Sequence, residues 1–262
     1  MKYTFLIFFI LTEVFINCQK KALVLFFSRA GENYSVGTVE KGNTERFVDS
    51  MKSTMPSSTV YHKIEPENQY PESYSETLTI VQNEQNNDTR PNIKNPITDV
   101  SEYDPIIIGY PIWYTKIPRI VINQIEKINS EGFKDKNIVL ICTHEGSGFS
   151  STMNEIKQKI TNSKEISQGK SLRGSEVDSK TSEIESFAKS IIEKYNIVDS
   201  PTINSSSDTT STQSSDTTST KSIDSRNSTI SGEKEDNFTN VRTNSGWFLS
   251  LNIYFIILIL LF

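Results

Sequence analysis

Between Lys20 and Ile197 the chain alternates short, unbroken apolar runs with longer stretches in which apolar residues recur every three or four positions. The short runs have the length of buried strands: Ala22–Phe27, Thr59–Ile64, Ile106 to Gly109, Asn137–Cys142 and a weaker Glu165–Leu172. The periodic stretches predict helices. Thr44–Met55 places Phe47, Val48 and Met51 on one face, with Thr44 as N-cap. Pro71–Gln85 does the same with Tyr74, Leu78 and Val81, and Ile117–Ile128 with Ile117, Ile120, Val121, Ile125 and Ile128. Ser151–Ile160 and Ser182–Tyr195 complete the set. From Ile138 onward the fourth run lacks polar alternation, as expected of a strand covered on both faces. Strands alternating with helices predict an α/β domain built on a parallel sheet with right-handed crossovers.

The two ends read differently. Met1–Cys18 is an apolar run after a single Lys, of signal-peptide length but interrupted by Glu13; a buried N-terminal strand is the competing reading. Lipidation of Cys18 is a further alternative, although Phe15-Ile16-Asn17-Cys18 matches a lipobox poorly. Residues 198–243 contain the Ser/Thr-rich stretch Ser200–Ser231, which reads as a disordered stalk. Residues 244–262 pair the small residues Asn244, Ser245 and Gly246 with an apolar end, Trp247–Phe262. That pattern fits a GPI-anchor signal, with a transmembrane tail as the alternative. Five sequons, at Asn33, Asn87, Asn204, Asn227 and Asn237, suit an exported glycoprotein. The expectation is a secreted domain, residues 20–197, tethered to a membrane through its C-terminal tail.

Composition narrows the function classes. A net charge of −5 without a basic stripe argues against nucleic-acid binding. Cys18 and Cys142 are too few for a disulfide framework, and His62 and His144 lack the partners of a structural zinc site.

In an open parallel sheet, ligands sit beyond the carboxyl ends of the strands, at the switch point. Three segments therefore matter. After the first predicted strand, Ser28 to Thr44 opens through glycines onto a helix N-terminus, a place that suits an anion. After the third, Pro111 and Pro118 bracket an exposed Trp113–Tyr114 pair that could stack on a planar ring, or pack over the following helix. After the fourth, Thr143-His144-Glu145-Gly146-Ser147-Gly148 offers backbone that can approach a ligand closely, or a plain strand-to-helix loop.

Taken together, FFSRAG…GNT, GYPIWY and CTHEGSGFSS make the chain from Lys21 to about Tyr195 resemble a flavodoxin. The resemblance implies a flavodoxin-like five-stranded parallel sheet, strand order 2-1-3-4-5, with helices on both faces and a non-covalently bound FMN. It implies that Ser28, Arg29, Gly42, Asn43 and Thr44 hold the phosphate. It assigns Pro111, Ile112, Trp113 and Tyr114, together with Thr143, His144, Glu145, Gly146 and Gly148, to the isoalloxazine ring. It implies either electron transfer to a redox partner protein or an FMN-dependent oxidoreductase that reduces a small-molecule acceptor. Two features depart from the pattern: an insertion at Glu32–Lys41 carrying the Asn33 sequon, and the signs of export. A contrasting reading is a surface binding or structural module on a glycosylated stalk, with the fold kept and FMN lost.

Overall fold

A computed structural model of the chain describes residues 21–199. The expected signal peptide, the Ser/Thr-rich stalk and the C-terminal anchor or tail lie outside the described residues. Five parallel strands form one sheet: β1 (Lys21–Phe26), β4 (Val60–Lys63), β5 (Tyr103–Pro111), β6 (Asn137–His144) and β7 (Glu165–Arg173). Their order is β4-β1-β5-β6-β7. Counted over these five alone, that is 2-1-3-4-5, the expected flavodoxin-like arrangement. The helices are α1 (Asn43–Lys52), α2 (Tyr74–Asn86), α3 (Arg119–Gly132), α4 (Thr152–Lys159) and α5 (Thr181–Tyr195).

The central strands β1, β5 and β6 are apolar on both faces, and the two faces build separate cores. Leu23, Leu25, Ile106, Ile108, Ile138 and Leu140 pack with Ile120, Val121, Ile125 and Ile128 of α3 and Ile156 of α4. Ala22, Val24, Phe26, Ile107, Val139 and Ile141 meet Phe47, Val48 and Met51 of α1 and Ile184, Ala188 and Ile191 of α5. Alternate residues along one strand thus serve opposite layers. Truncating one of these buried leucines or isoleucines to alanine costs roughly 2–5 kcal/mol.

The insertion after β1 is not an irregular loop. It is an antiparallel hairpin, β2 (Gly31–Asn33) and β3 (Gly37–Val39), detached from the main sheet. It docks on the N-terminus of α2. The Glu32 amide donates to Glu72 O at 2.8 Å, and the Glu32 carboxylate accepts from the Tyr74 amide at 2.9 Å, capping α2 from another segment. Tyr34 stacks on Tyr74 with ring centroids 5.9 Å apart.

Candidate functional site: a cleft at the carboxyl ends of β1, β5 and β6

From β1 the chain moves to the sheet edge at β4 and then returns past β1 to β5, so the switch point lies between β1 and β5. The register of β5 on β6 carries on to Pro111↔Thr143, which brings the segments after all three strands together. They border one cleft that is partly open to solvent.

The first wall is the approach of β1 to α1. Gly42 presses its backbone onto Ser28 and Arg29: a Cβ there would lie 2.2 Å from Arg29 O and 2.4 Å from Ser28 Oγ. Gly42 is the N-cap of α1 and has no side chain to offer; Ser28 Oγ supplies the cap instead, accepting from the Glu45 amide at 3.0 Å. The amides of Asn43 and Thr44, in the first turn, have no acceptor within the helix. Thr44 faces inward and its hydroxyl meets that of Thr143 at 2.8 Å, both side chains being buried. That contact ties the first candidate loop to the third.

Arg29 lines the cleft and is bonded to the protein's own backbone. It is buried, and its guanidinium donates to three backbone carbonyls: Pro71 O (3.1 and 2.9 Å), Glu72 O (2.8 Å) and Glu32 O (2.7 Å). Burial lowers its pKa, with Glu32 opposing the effect. It therefore staples the hairpin to the strap before α2, and the planar fork suits three carbonyls as lysine would not.

The second wall follows β5. The Ile112 amide donates to Thr143 O at 2.8 Å. Trp113 and Lys116 bond to each other through both backbone groups, and the two residues between them, Tyr114 (φ 47) and Thr115 (φ 64), are left-handed. Positive φ at both central positions makes this the tight turn normally seen in hairpins. It leaves Tyr114 46% exposed at the cleft mouth. Trp113 departs from the expected exposed pair. It is half-buried in an aromatic triad, its ring 5.3 Å from Phe27 and 5.1 Å from Tyr70, both edge-on. Trp113 still lines the cleft.

The third wall follows β6. His144 Nδ1 accepts from the Gly146 amide at 2.8 Å, which fixes the neutral ring with its proton on Nε2. Burial lowers the His144 pKa, the Glu145 carboxylate pulling the other way. Glu145 lines the cleft, but its carboxylate also accepts from the Ser175 amide (3.1 Å) and hydroxyl (3.0 Å) in the turn after β7. Gly174 sits where Asn43 and Glu145 converge; a Cβ there would lie 1.9 Å from Asn43 Nδ2 and 2.8 Å from Glu145 Oε1. Gly146 and Gly148 adopt positive φ but do not line the cleft.

The structure thus gathers Arg29, Asn43, Pro111, Ile112, Trp113, Tyr114, Thr143, His144 and Glu145 along one cleft, with Ser28, Gly42 and Thr44 directly behind it. The remaining wall was not foreseen. It consists of Asn33 and Tyr34 of the hairpin and Tyr74, Thr77, Leu78 and Val81 of α2. The apolar stripe of α2 was legible in the sequence, but not that it would border a cleft.

A search of the curated proteins found no match. Among solved structures, a candidate flavoprotein from Bacteroides eggerthii is 24% identical, covering 63% of this chain and 98% of its own, with a TM-score of 0.45. A flavoprotein from Lactobacillus acidophilus, solved in complex with FMN, is 18% identical over 61% of this chain and 97% of its own, with a TM-score of 0.46. A flavodoxin from the domain Archaea is 13% identical over 66% of this chain and 97% of its own, with a TM-score of 0.39. The flavodoxin family model matches residues 21–187, more than half of the chain, and the protein belongs to the flavodoxin family.

Proposed function

We propose that the cleft binds FMN and that the protein passes electrons from it to a redox partner protein or a small-molecule acceptor. The observation that carries this is the convergence of three elements on one cleft: an N-terminal helix turn with free first-turn amides, a turn presenting Trp113 and Tyr114, and the Thr143–Glu145 segment. The donor set fits the group. The α1 amides and the Asn43 and Ser28 side chains suit a phosphate dianion without a committed cation. The half-buried indole and Tyr114 offer apolar faces to a planar ring, and Thr143, His144 and Glu145 offer polar edges.

FMN, when bound, supplies the redox chemistry. The chain's own residues hold it, shield it and set its electrostatics. Glu145 places negative charge at the cleft wall, which disfavours an anionic reduced ring and lowers its potential. His144, held neutral by its Gly146 contact, adds no compensating cation near neutral pH.

Export and tethering through the C-terminal tail form the second part of the proposal, supported by the apolar ends, the Ser/Thr-rich segment and the sequons. Release of the protein from cells by a GPI-specific phospholipase tests the anchor; retention favours a transmembrane tail.

One observation favours the contrasting reading of an FMN-free surface module. Asn33, in a sequon, lines the cleft, and its Nδ2 donates inward to Gly31 O at 3.0 Å. A glycan there would stand in the site. The purified full chain decides between the two. A flavoprotein shows flavin absorbance that dithionite bleaches reversibly. A colourless protein that takes up no added FMN rules out the flavin reading.

A further inference from the structure

Behind the aromatic wall of the cleft lies a buried acid for which neither the fold nor the proposed ligand contacts account. Glu84, in the last turn and a half of α2, is 8% exposed. Its Oε2 accepts from the Tyr70 hydroxyl at 3.1 Å. Tyr70 in turn lies edge-on to both Trp113 (5.1 Å, 77°) and Phe27 (5.8 Å, 60°). The adjacent Gln85 donates from Nε2 to Trp113 O at 2.8 Å. Two consecutive residues of α2 therefore grip the same turn, one through a ring neighbour and one through the backbone.

An acid is a costly choice for this place. Burial pushes the Glu84 carboxyl above the ordinary glutamate value, and the Tyr70 hydroxyl and Arg119 oppose that shift without cancelling it. Arg119, at the start of α3, is the facing cation; it also lies 3.4 Å from Asp88 Oδ1 and 3.7 Å from Glu155 Oε2, so its charge is shared. A leucine or methionine would fill the same volume with no desolvation cost. A hydrogen bond to a charged acceptor is, however, shorter and stronger than a neutral one, and it fixes the Tyr70 ring in a way that packing alone does not.

We infer that Glu84 is a positioning residue of the cleft: through the Tyr70 hydroxyl it sets the orientation of the Trp113 wall against which the ligand lies. The inference rests on the flavin reading for its ligand, but not for its geometry. In its ionised form the Glu84 carboxylate holds Tyr70. As pH falls through the raised carboxyl pKa, the bond becomes neutral and the wall loosens.

The test is a double-mutant cycle on the full chain in mild detergent, with FMN affinity read by flavin fluorescence. Glu84→Leu and Tyr70→Phe should each weaken FMN by about tenfold, the scale of one hydrogen bond to a charged group. The double variant should be no weaker than either single variant, because both remove the same link. Wild-type affinity should fall as pH drops from neutral toward the ordinary glutamate range, and Glu84→Gln should lack that component and match the acid form of wild type. Any contribution from His144 is common to both proteins. Additive losses, or a pH profile unchanged in Glu84→Gln, would overturn the inference.

A wild-type protein that binds no FMN would refute the flavin reading instead. In that case the near-UV circular dichroism of the ligand-free protein decides, with Trp113→Phe identifying the indole band. The inference stands if Glu84→Leu and Tyr70→Phe alter that band alike and Glu84→Gln shows, at every pH, the band that wild type shows in its acid form. It falls if the band does not respond.

Discussion

Replacing Gly42 with alanine perturbs the cleft at its narrowest joint. The backbone there (φ −65, ψ 162) is one that alanine adopts without strain, so the effect is purely steric. The new methyl would lie 2.2 Å from Arg29 O, 2.4 Å from Ser28 Oγ and 2.7 Å from Arg29 C. An ordinary carbon–oxygen contact is about 3.3 Å, so β1 and the start of α1 must part by about 1 Å. Two of the three atoms are backbone and cannot swing aside. Overpacking of this kind costs roughly 1–3 kcal/mol. The parting also breaks the bond from the Glu45 amide to Ser28 Oγ, worth about 1 kcal/mol. The sum, about 2–4 kcal/mol, is a large part of a typical domain's stability. For a domain of this size it lowers the melting temperature by roughly 5–15 °C. Thermal unfolding followed by far-UV circular dichroism measures it, with Ser28→Ala, which loses only the hydroxyl, falling much less. FMN affinity should drop with Gly42→Ala in the same preparation, because the first-turn amides move with the helix. A melting temperature within about 1 °C of wild type would refute the claim that Gly42 is required by close approach.

Other consequences can be measured separately. Arg29→Lys gives up a three-carbonyl fork for a point charge and should destabilise by roughly 1.5–3 kcal/mol in chemical denaturation, with FMN affinity falling because the hairpin wall loosens. His144 has a folded pKa below its unfolded value, so its contribution to stability is full above the unfolded pKa and is lost as pH falls through the unfolded toward the folded pKa; His144→Gln should flatten that part of a stability–pH curve. Glu145→Gln should raise the flavin potential in a redox titration while losing only part of the Ser175 contacts, since one carbonyl oxygen remains to accept. Tyr114→Ala, at an exposed turn position, should leave the melting temperature nearly unchanged yet weaken FMN.

The sheet was legible because its signals are local. Each of the five runs is bounded by turn residues, and the apolar continuity of Ile138–Cys142 distinguishes a doubly covered strand from an edge. The three loops followed from topology once the strands were in order. What escaped has no local signature. Gly31–Asn33 and Gly37–Val39 are three-residue strands with no alternation to read, stabilised by docking on α2 rather than by their own sequence. The acceptors of Arg29 at Pro71 and Glu72 lie 42 and 43 positions away. Tyr74, Leu78 and Val81 form the same stripe whether a helix faces a core or a cleft. Trp113 reads as exposed beside Tyr114 until Phe27 and Tyr70 arrive from other segments to enclose it.

The most direct test of the central claim is a fluorescence titration of the purified full chain with FMN and, in parallel, with riboflavin. One FMN should bind per chain, saturably. Riboflavin should bind markedly more weakly, because it lacks the phosphate that the α1 amides, Ser28 and Asn43 would hold. Flavin fluorescence unchanged by excess protein, or FMN and riboflavin bound equally, would contradict the claim.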